Sequence, residues 1–244
     1  MGYITDLKDQ SLGVLRGKWG SFVGLTFIYF LLMVLANSFT SLPTKLVGSS
    51  FSTLLVITVV IAVLISVIII PLQYGYSIAH LNASRQDLSA EVGDLFCGYR
   101  KFLKVVIIQF LVSFLIVLGF ILIIPGIILA LAYSMVPYIL NDNPELSIKD
   151  VLKKSRTMMY GHKRKLLLLF LSFIGWFFLA ILTLFVGFLW LSPYYQMTKY
   201  KFYEQLLKEQ ENENSSNEDY QDGYSQYNTV ENHVDDVSNN IENV

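Results

Sequence analysis

Residues 102–141 leave the chain few ways to fold, because Lys104 is the only charged residue among them. As one helix, at about 1.5 Å per residue, this stretch would measure about 60 Å, roughly twice the hydrocarbon thickness of a bilayer. It must therefore turn, and Ile124-Pro125-Gly126 is the expected turn: Pro125 suits the first turn of a new helix, and Gly126 allows a tight approach. We predict two antiparallel membrane spans, 102–123 and 125–141, with a kink at Pro137.

Further apolar runs cover residues 21–39, 53–77 and 166–185. Only 15% of the 244 residues are charged, against about a quarter in a soluble domain. The runs are predicted to be helical, since an isolated strand leaves its backbone unpaired in lipid, and Pro71 is expected to kink the second. A cleavable signal over the first run is an alternative, with Val34-Leu35-Ala36 as the cleavage site, but we favour a retained anchor. Residues 194–207 are only moderately apolar, so hydropathy leaves open whether they cross the membrane or lie on it.

The positions of the basic residues favour a sixth span there. If six spans place both termini on one side, that side carries every Lys and Arg except Lys45. By the positive-inside rule, the termini are then cytoplasmic. We predict an all-α, multi-pass protein of the bacterial plasma membrane, with six transmembrane helices arranged as three hairpins. Residues 1–208 form the membrane domain, and residues 209–244, which hold no Lys or Arg, form a disordered acidic tail.

A basic amphipathic segment precedes the fifth apolar run. Its Ser147 and Asp150 have the spacing of a capping box, and Gly161 is a predicted hinge. One predicted helix face is mostly apolar, and we expect it to lie on the membrane surface: Ile148, Val151, Leu152, Ser155, Met158 and Met159. Seven cations follow the other face and the start of the next span, and these are the predicted contacts for anionic lipid: Lys149, Lys153, Lys154, Arg156, Lys163, Arg164 and Lys165.

The same arrangement recurs twice upstream. Residues 4–18 place apolar residues on one face before Arg16-Gly17-Lys18. Residues 88–101 do so with Leu88, Val92, Leu95, Phe96 and Tyr99, before a basic pair that aligns with the one after Gly161. We therefore predict cytoplasmic amphipathic helices in front of each hairpin and a parallel internal repeat.

Several segments together resemble a known family. These are Ile124-Pro125-Gly126-Ile127-Ile128, Tyr133-Ser134-Met135, Asn141-Asp142-Asn143-Pro144, Gly161-His162-Lys163, Ser172-Phe173-Ile174-Gly175-Trp176 and Pro193-Tyr194, with Ser155 and Met158-Met159. Over most of residues 10–207 the chain resembles the uncharacterised bacterial integral-membrane family called domain of unknown function 975. The resemblance implies six helices in the plasma membrane and a distant similarity to the membrane portion of glycerophosphodiester phosphodiesterases. It implies no established activity.

Polar residues within the apolar runs are the candidate site. Two sets have helical spacing, one on the second span and one on the fourth: Gln73, Ser77 and His80; Tyr133, Pro137 and Asn141. Polar side chains in lipid usually face the bundle interior, where they bond neighbouring helices or line a cavity. Helix–helix bonding is the favoured interpretation, and a substrate pathway is the alternative. We expect His80 and His162 to be interfacial anchors.

The sequence offers little support for catalysis. No spacing of Ser, His, Asp or Cys forms a recognisable nucleophile set, no metal-ligand cluster is seen, and no cofactor is implied. The apolar runs also lack the Asp or Glu that coupled transporters usually keep. We predict a non-enzymatic accessory or envelope-associated membrane protein that contacts anionic lipid or a protein partner, without nucleic acid. A small transporter or exporter of an amphiphilic molecule is the alternative.

Overall fold

The computed structural model describes residues 2–40, 51–86, 89–121, 123–212 and 215. Its helices are α1 (Gly2–Leu15), α2 (Trp19–Thr40), α3 (Phe51–Gln86), a 3₁₀ helix (Val92–Lys101), α4 (Phe102–Phe120), α5 (Ile124–Ala132), α6 (Val136–Asp142), α7 (Ile148–Met158), α8 (Lys163–Leu171), α9 (Ile174–Leu182) and α10 (188–212). No strand occurs among the described residues, and the all-α prediction is confirmed for them.

Five helical stretches are long and apolar enough to cross a membrane. They are Trp19–Ser38, Val56–Gln86, Val92–Phe120, Ile124–Asp142 and Lys163–Leu182. Side chains along them such as Val63, Phe110 and Phe178 are exposed, as expected for contact with lipid acyl chains. The chain is therefore compatible with a multi-pass membrane protein. The predicted sixth crossing falls on α10, which is not among the five.

The predicted turn at Pro125 and Gly126 is present. Pro125 lies in the first turn of α5, directly after the end of α4. A Cβ atom on Gly126 would lie 2.8 Å from the Cα of Phe120, and one on Gly119 would lie 2.9 Å from the Cα of Gly126. The two helices therefore meet backbone to backbone, as small residues allow in membrane bundles. The predicted kink in the second helix is a break at residues 133–135, after which Pro137 lies in the first turn of α6.

The α-helical prediction for 88–101 is wrong in its period. Residues Val92–Lys101 form a 3₁₀ helix, in which positions three apart share a face. Leu95 and Gly98 are therefore the buried pair, whereas Val92 and Phe96 of the predicted face are exposed. Leu88 lies outside the described residues.

Close contact with α3 explains this departure. A Cβ on Gly98 would lie 2.2 Å from the Pro71 carbonyl oxygen, and one on Gly75 would lie 2.0 Å from the Leu95 carbonyl oxygen. The Tyr99 hydroxyl donates to the Ile68 carbonyl at 2.7 Å, three residues before Pro71. This bond joins the 3₁₀ helix to the turn of α3 that precedes Pro71.

The ends of three helices gather on one side of the molecule, which we call the basic side. Arg85 near the end of α3 donates two hydrogen bonds to Asp142 at the end of α6, at 2.7 and 2.8 Å. Lys104 in the first turn of α4 donates to the carbonyls of Pro144 and Leu146, which follow α6. α3 and α6 therefore end, and α4 begins, on the same side. That this side is cytoplasmic stays a prediction.

Helix α1 is held against the junction of α8 and α9. Lys8 Nζ donates to the Ser172 carbonyl at 3.2 Å and lies 4.3 Å from the centre of the Phe173 ring. Burial of the ammonium group lowers the pKa of Lys8. Ser172 and Phe173 form a turn that divides the predicted fifth span into two shorter helices.

The chain divides into two compact units, Met1–Tyr203 and Glu204–Val244. In the second unit, residues 204–212 are helical. The predicted disordered tail therefore begins within a helix, and its remainder beyond residue 212, apart from residue 215, lies outside the described residues.

Candidate functional site: a basic helix and an intramembrane cavity

The start of α7 forms as its capping sequence predicts. Ser147 is the N-cap residue, and its hydroxyl oxygen accepts from the Asp150 backbone N–H at 3.3 Å. The same hydroxyl donates to the Asp150 carboxylate at 2.5 Å. The carboxylate also lies in the first turn, where the helix dipole favours negative charge.

The apolar face of α7 is the predicted one, but protein covers it instead of lipid. Val151, Ser155 and Met159 have no exposed surface, and Leu152 and Met158 are also buried. The Ser155 hydroxyl donates to the Ala132 carbonyl at the end of α5, at 2.8 Å. This bond gives the Ala132 carbonyl a donor at the point where the helical hydrogen-bond pattern ends before α6. The expectation that this face rests on the membrane is therefore corrected.

Of the seven predicted lipid-contact cations, four are exposed: Lys149, Lys153, Arg156 and Arg164. The other three are partly buried; Lys154 donates to the Asn143 side chain at 3.2 Å, and Lys165 lies 4.9 Å from the centre of the Tyr3 ring. Within the described part of the chain, none of the four exposed cations forms an ion pair. We call these four the basic patch.

Gly161 connects α7 to α8 with a φ of +80°, and Gly17 connects α1 to α2 with a φ of +79°. These angles lie in the left-handed region, which glycine enters without a Cβ clash. The predicted hinge residue thus has a matching counterpart in the first predicted repeat. Gly98, its expected counterpart in the second, is instead part of the 3₁₀ helix.

A cavity of about 660 Å³ lies among α3, α4, α5, α6, α8 and α10. Four of the six polar residues predicted from the sequence line it: Gln73, Ser77, Tyr133 and Pro137. Gln73 is exposed, so the cavity reaches the surface of the protein beside α3. Whether these residues serve a ligand or only join helices stays a prediction.

The other two predicted residues lie elsewhere. His80 is fully buried rather than interfacial: its Nδ1 lies 2.7 Å from the Tyr76 carbonyl oxygen, and its ring lies 5.3 Å from that of Phe22. The Asn141 amide is 3.5 Å from Asp142, beside the ion pair with Arg85. Of the two, His80 takes part in a contact between helices, with Phe22 of α2.

Sequence reasoning missed two groups. Tyr203 donates to Asp142 at 2.9 Å, completing a cluster with Arg85, but these residues lie far apart in the chain and no local pattern joins them. Lys199 was counted with the cytoplasmic charges, yet it lines the cavity together with Tyr195 and Gln196. The spacing of Tyr195 and Lys199, four residues apart, was the available signal, since it places them on one helix face.

Among the described residues, no group of three or more His, Cys, Asp or Glu side chains is placed to hold a metal ion. Cys97 is a free thiol and is partly buried. The predictions that the protein is not an enzyme and uses no cofactor stay predictions.

Residues 106–210 match the model of a family described as a protein of unknown function, DUF975. The match begins in α4, includes the whole basic patch and covers less than half of the chain. It supports the resemblance over this part, against the expected 10–207, and its description names no activity. No curated protein and no solved structure matches the chain. The expected similarity to glycerophosphodiester phosphodiesterases has no support from these comparisons.

Proposed function

We propose that this protein is a non-enzymatic integral protein of the plasma membrane, with an accessory or envelope-associated role, and that its basic patch contacts anionic lipid headgroups. The observation that carries the proposal is the orientation of α7. Because protein covers the apolar face, the helix does not need the bilayer to bury it. Lys149, Lys153 and Arg156 are nevertheless exposed and lack acidic partners among the described residues.

The electrostatics favour a lipid partner. Each cation near an anionic membrane surface contributes about 1 kcal/mol to attraction, so the four residues of the basic patch supply up to about 4 kcal/mol. Lys104 and Arg85 lie on the same side of the molecule but are engaged with α6 and the residues after it. The basic patch places four exposed cations between residues 149 and 164.

The proposal is tested by lipid-dependent thermal stability of the full-length protein in a neutral detergent. Phosphatidylglycerol should raise the melting temperature more than phosphatidylcholine does, because a ligand that binds the folded state stabilises it. A variant with all four cations of the basic patch changed to Gln should lose most of this difference. Added salt should reduce the difference for the wild type, since exposed charges are screened.

The matched control exchanges Lys for Arg and Arg for Lys at the same four positions, which retains charge. This variant should respond to phosphatidylglycerol as the wild type does. An equal response of the Gln variant and the control would contradict the proposal. If another protein from the native membrane co-purifies with the wild type and is lost from the Gln variant without any lipid effect, the basic patch is a protein-binding surface instead.

A further inference from the structure

The cavity contains a cation with no acidic partner among the residues that the structure describes. Lys199 lies on its wall, and the nearest described interaction of its ammonium group is with the face of the Tyr138 ring, 5.8 Å from the ring centre. An ammonium group among apolar helices is costly unless an anion, dipoles or water compensates its charge. The cavity gives an anion room to reach it.

Two other polar groups of residues that line the cavity are also left unsatisfied. The hydroxyl of Tyr74 and the side-chain carbonyl oxygen of Gln196 are buried with no hydrogen-bond partner in the described structure, and both residues line the cavity. Buried polar atoms are usually paired, and an unpaired one calls for a missing partner. The Tyr74 hydroxyl can donate to an anionic oxygen. The Gln196 oxygen is an acceptor, so it calls for a donor and does not itself attract an anion.

Part of the cavity wall is apolar. Val112, Ile116 and Phe120 line it from one face of α4, and Ile127 lines it from α5. From Val112 to Phe120 a helix rises about 12 Å, toward the α4–α5 turn and away from the basic side. The wall therefore suits a hydrocarbon chain, while Lys199 and Gln196 are contributed by a different helix, α10.

We propose that this cavity binds a single amphiphile with a carboxylate or phosphate headgroup. The headgroup pairs with Lys199 and accepts from Tyr74, and the hydrocarbon chain lies along α4. Because Gln73 is exposed where the cavity reaches the surface, the ligand can enter laterally from the bilayer. This site is separate from the basic patch, and its occupation does not depend on that patch.

The binding experiment uses the full-length protein in neutral detergent and four probes: palmitate, lysophosphatidylglycerol, hexadecanol and inorganic phosphate. Palmitate or lysophosphatidylglycerol should bind about tenfold or more tightly than hexadecanol, since a charged hydrogen bond is the strongest contact in the site. The tighter of the two anionic amphiphiles distinguishes a fatty acid from a phospholipid as the source. Equal affinity for hexadecanol would overturn the proposal, as would equal affinity for inorganic phosphate alone.

Variants locate the site. Lys199→Gln should weaken anionic binding about tenfold or more, whereas Lys201→Gln on the same helix, outside the cavity wall, should not. Ile116→Trp fills the chain-binding part without changing charge, and keeps the test valid if Lys199→Gln does not fold. A photoreactive fatty acid should label the α4 segment from Gln109 to Phe120. Unchanged affinity in the folded variants, or labelling confined to other segments, would contradict the assignment.

Discussion

Gly98→Ala tests the contact between the 3₁₀ helix and α3. The new Cβ would lie 2.2 Å from the Pro71 carbonyl oxygen and 2.9 Å from its carbonyl carbon, where ordinary contact begins at 3.4 Å. The two backbones must therefore separate by about 1 Å, because neither obstructing atom belongs to a side chain that can rotate away. Overpacking a well-packed site costs about 1–3 kcal/mol, and a backbone obstruction belongs at the upper end of that range.

The matched control is Gly93→Ala on the same 3₁₀ helix, where a Cβ would meet nothing within 4 Å. Because alanine restricts the unfolded chain, this change should be neutral or stabilise by up to about 1 kcal/mol. The two substitutions are chemically identical, and only Gly98→Ala should destabilise the protein.

The measurement is the free energy of unfolding in mixed detergent micelles, followed by circular dichroism as the denaturing detergent is increased. Gly98→Ala should lower it by about 3 kcal/mol relative to the wild type. Weakening of the Tyr99 hydrogen bond to Ile68 adds to the loss, since the bond spans the same contact. If Gly98→Ala proves as stable as Gly93→Ala, the backbone contact does not exist as described.

Two further substitutions probe the basic side. Asp142→Asn should lower the free energy of unfolding by about 1 kcal/mol, because it removes the charge of a two-bond ion pair whose Arg85 side chain is 40% exposed and remains solvated. A double-mutant cycle with Arg85→Gln should show coupling, and additive effects would refute the pairing. Gly161→Ala should cost about 1–2 kcal/mol, since its φ of +80° is unfavourable for a residue with a Cβ. Gly13→Ala, at an exposed position in the last turn of α1, should not destabilise. Equal effects in the same unfolding assay would show that Gly161 tolerates the change.

Helix periodicity correctly predicted the apolar face of α7, but it did not predict what covers that face. The cap at Ser147 and the face containing Val151 and Ser155 depend only on neighbouring residues, so the sequence contains them. A face buried against protein and a face resting on lipid have the same pattern, and only the contact with Ala132 distinguishes them.

Other features could not be predicted from the sequence because they depend on contacts between residues far apart in the chain. The 3₁₀ helix at 92–101 depends on Gly75 and Pro71 of α3, which local spacing cannot register. The candidate polar residues were predicted only in part for the same reason. Helical spacing grouped Gln73, Ser77 and His80 together. Gln73 and Ser77 line the cavity, whereas the His80 ring packs against Phe22 of α2. Lys199 was missed because a lysine in a moderately apolar segment reads as an interfacial charge.

Native mass spectrometry of the full-length protein, released gently from its own membrane, tests the proposed lipid contact most directly. The wild type should retain anionic phospholipids in preference to neutral ones, and the Gln variant of the basic patch should retain fewer of them, while the charge-retaining control matches the wild type. Retention of the same anionic lipids by all three proteins would contradict a role for Lys149, Lys153, Arg156 and Arg164 in binding the membrane surface.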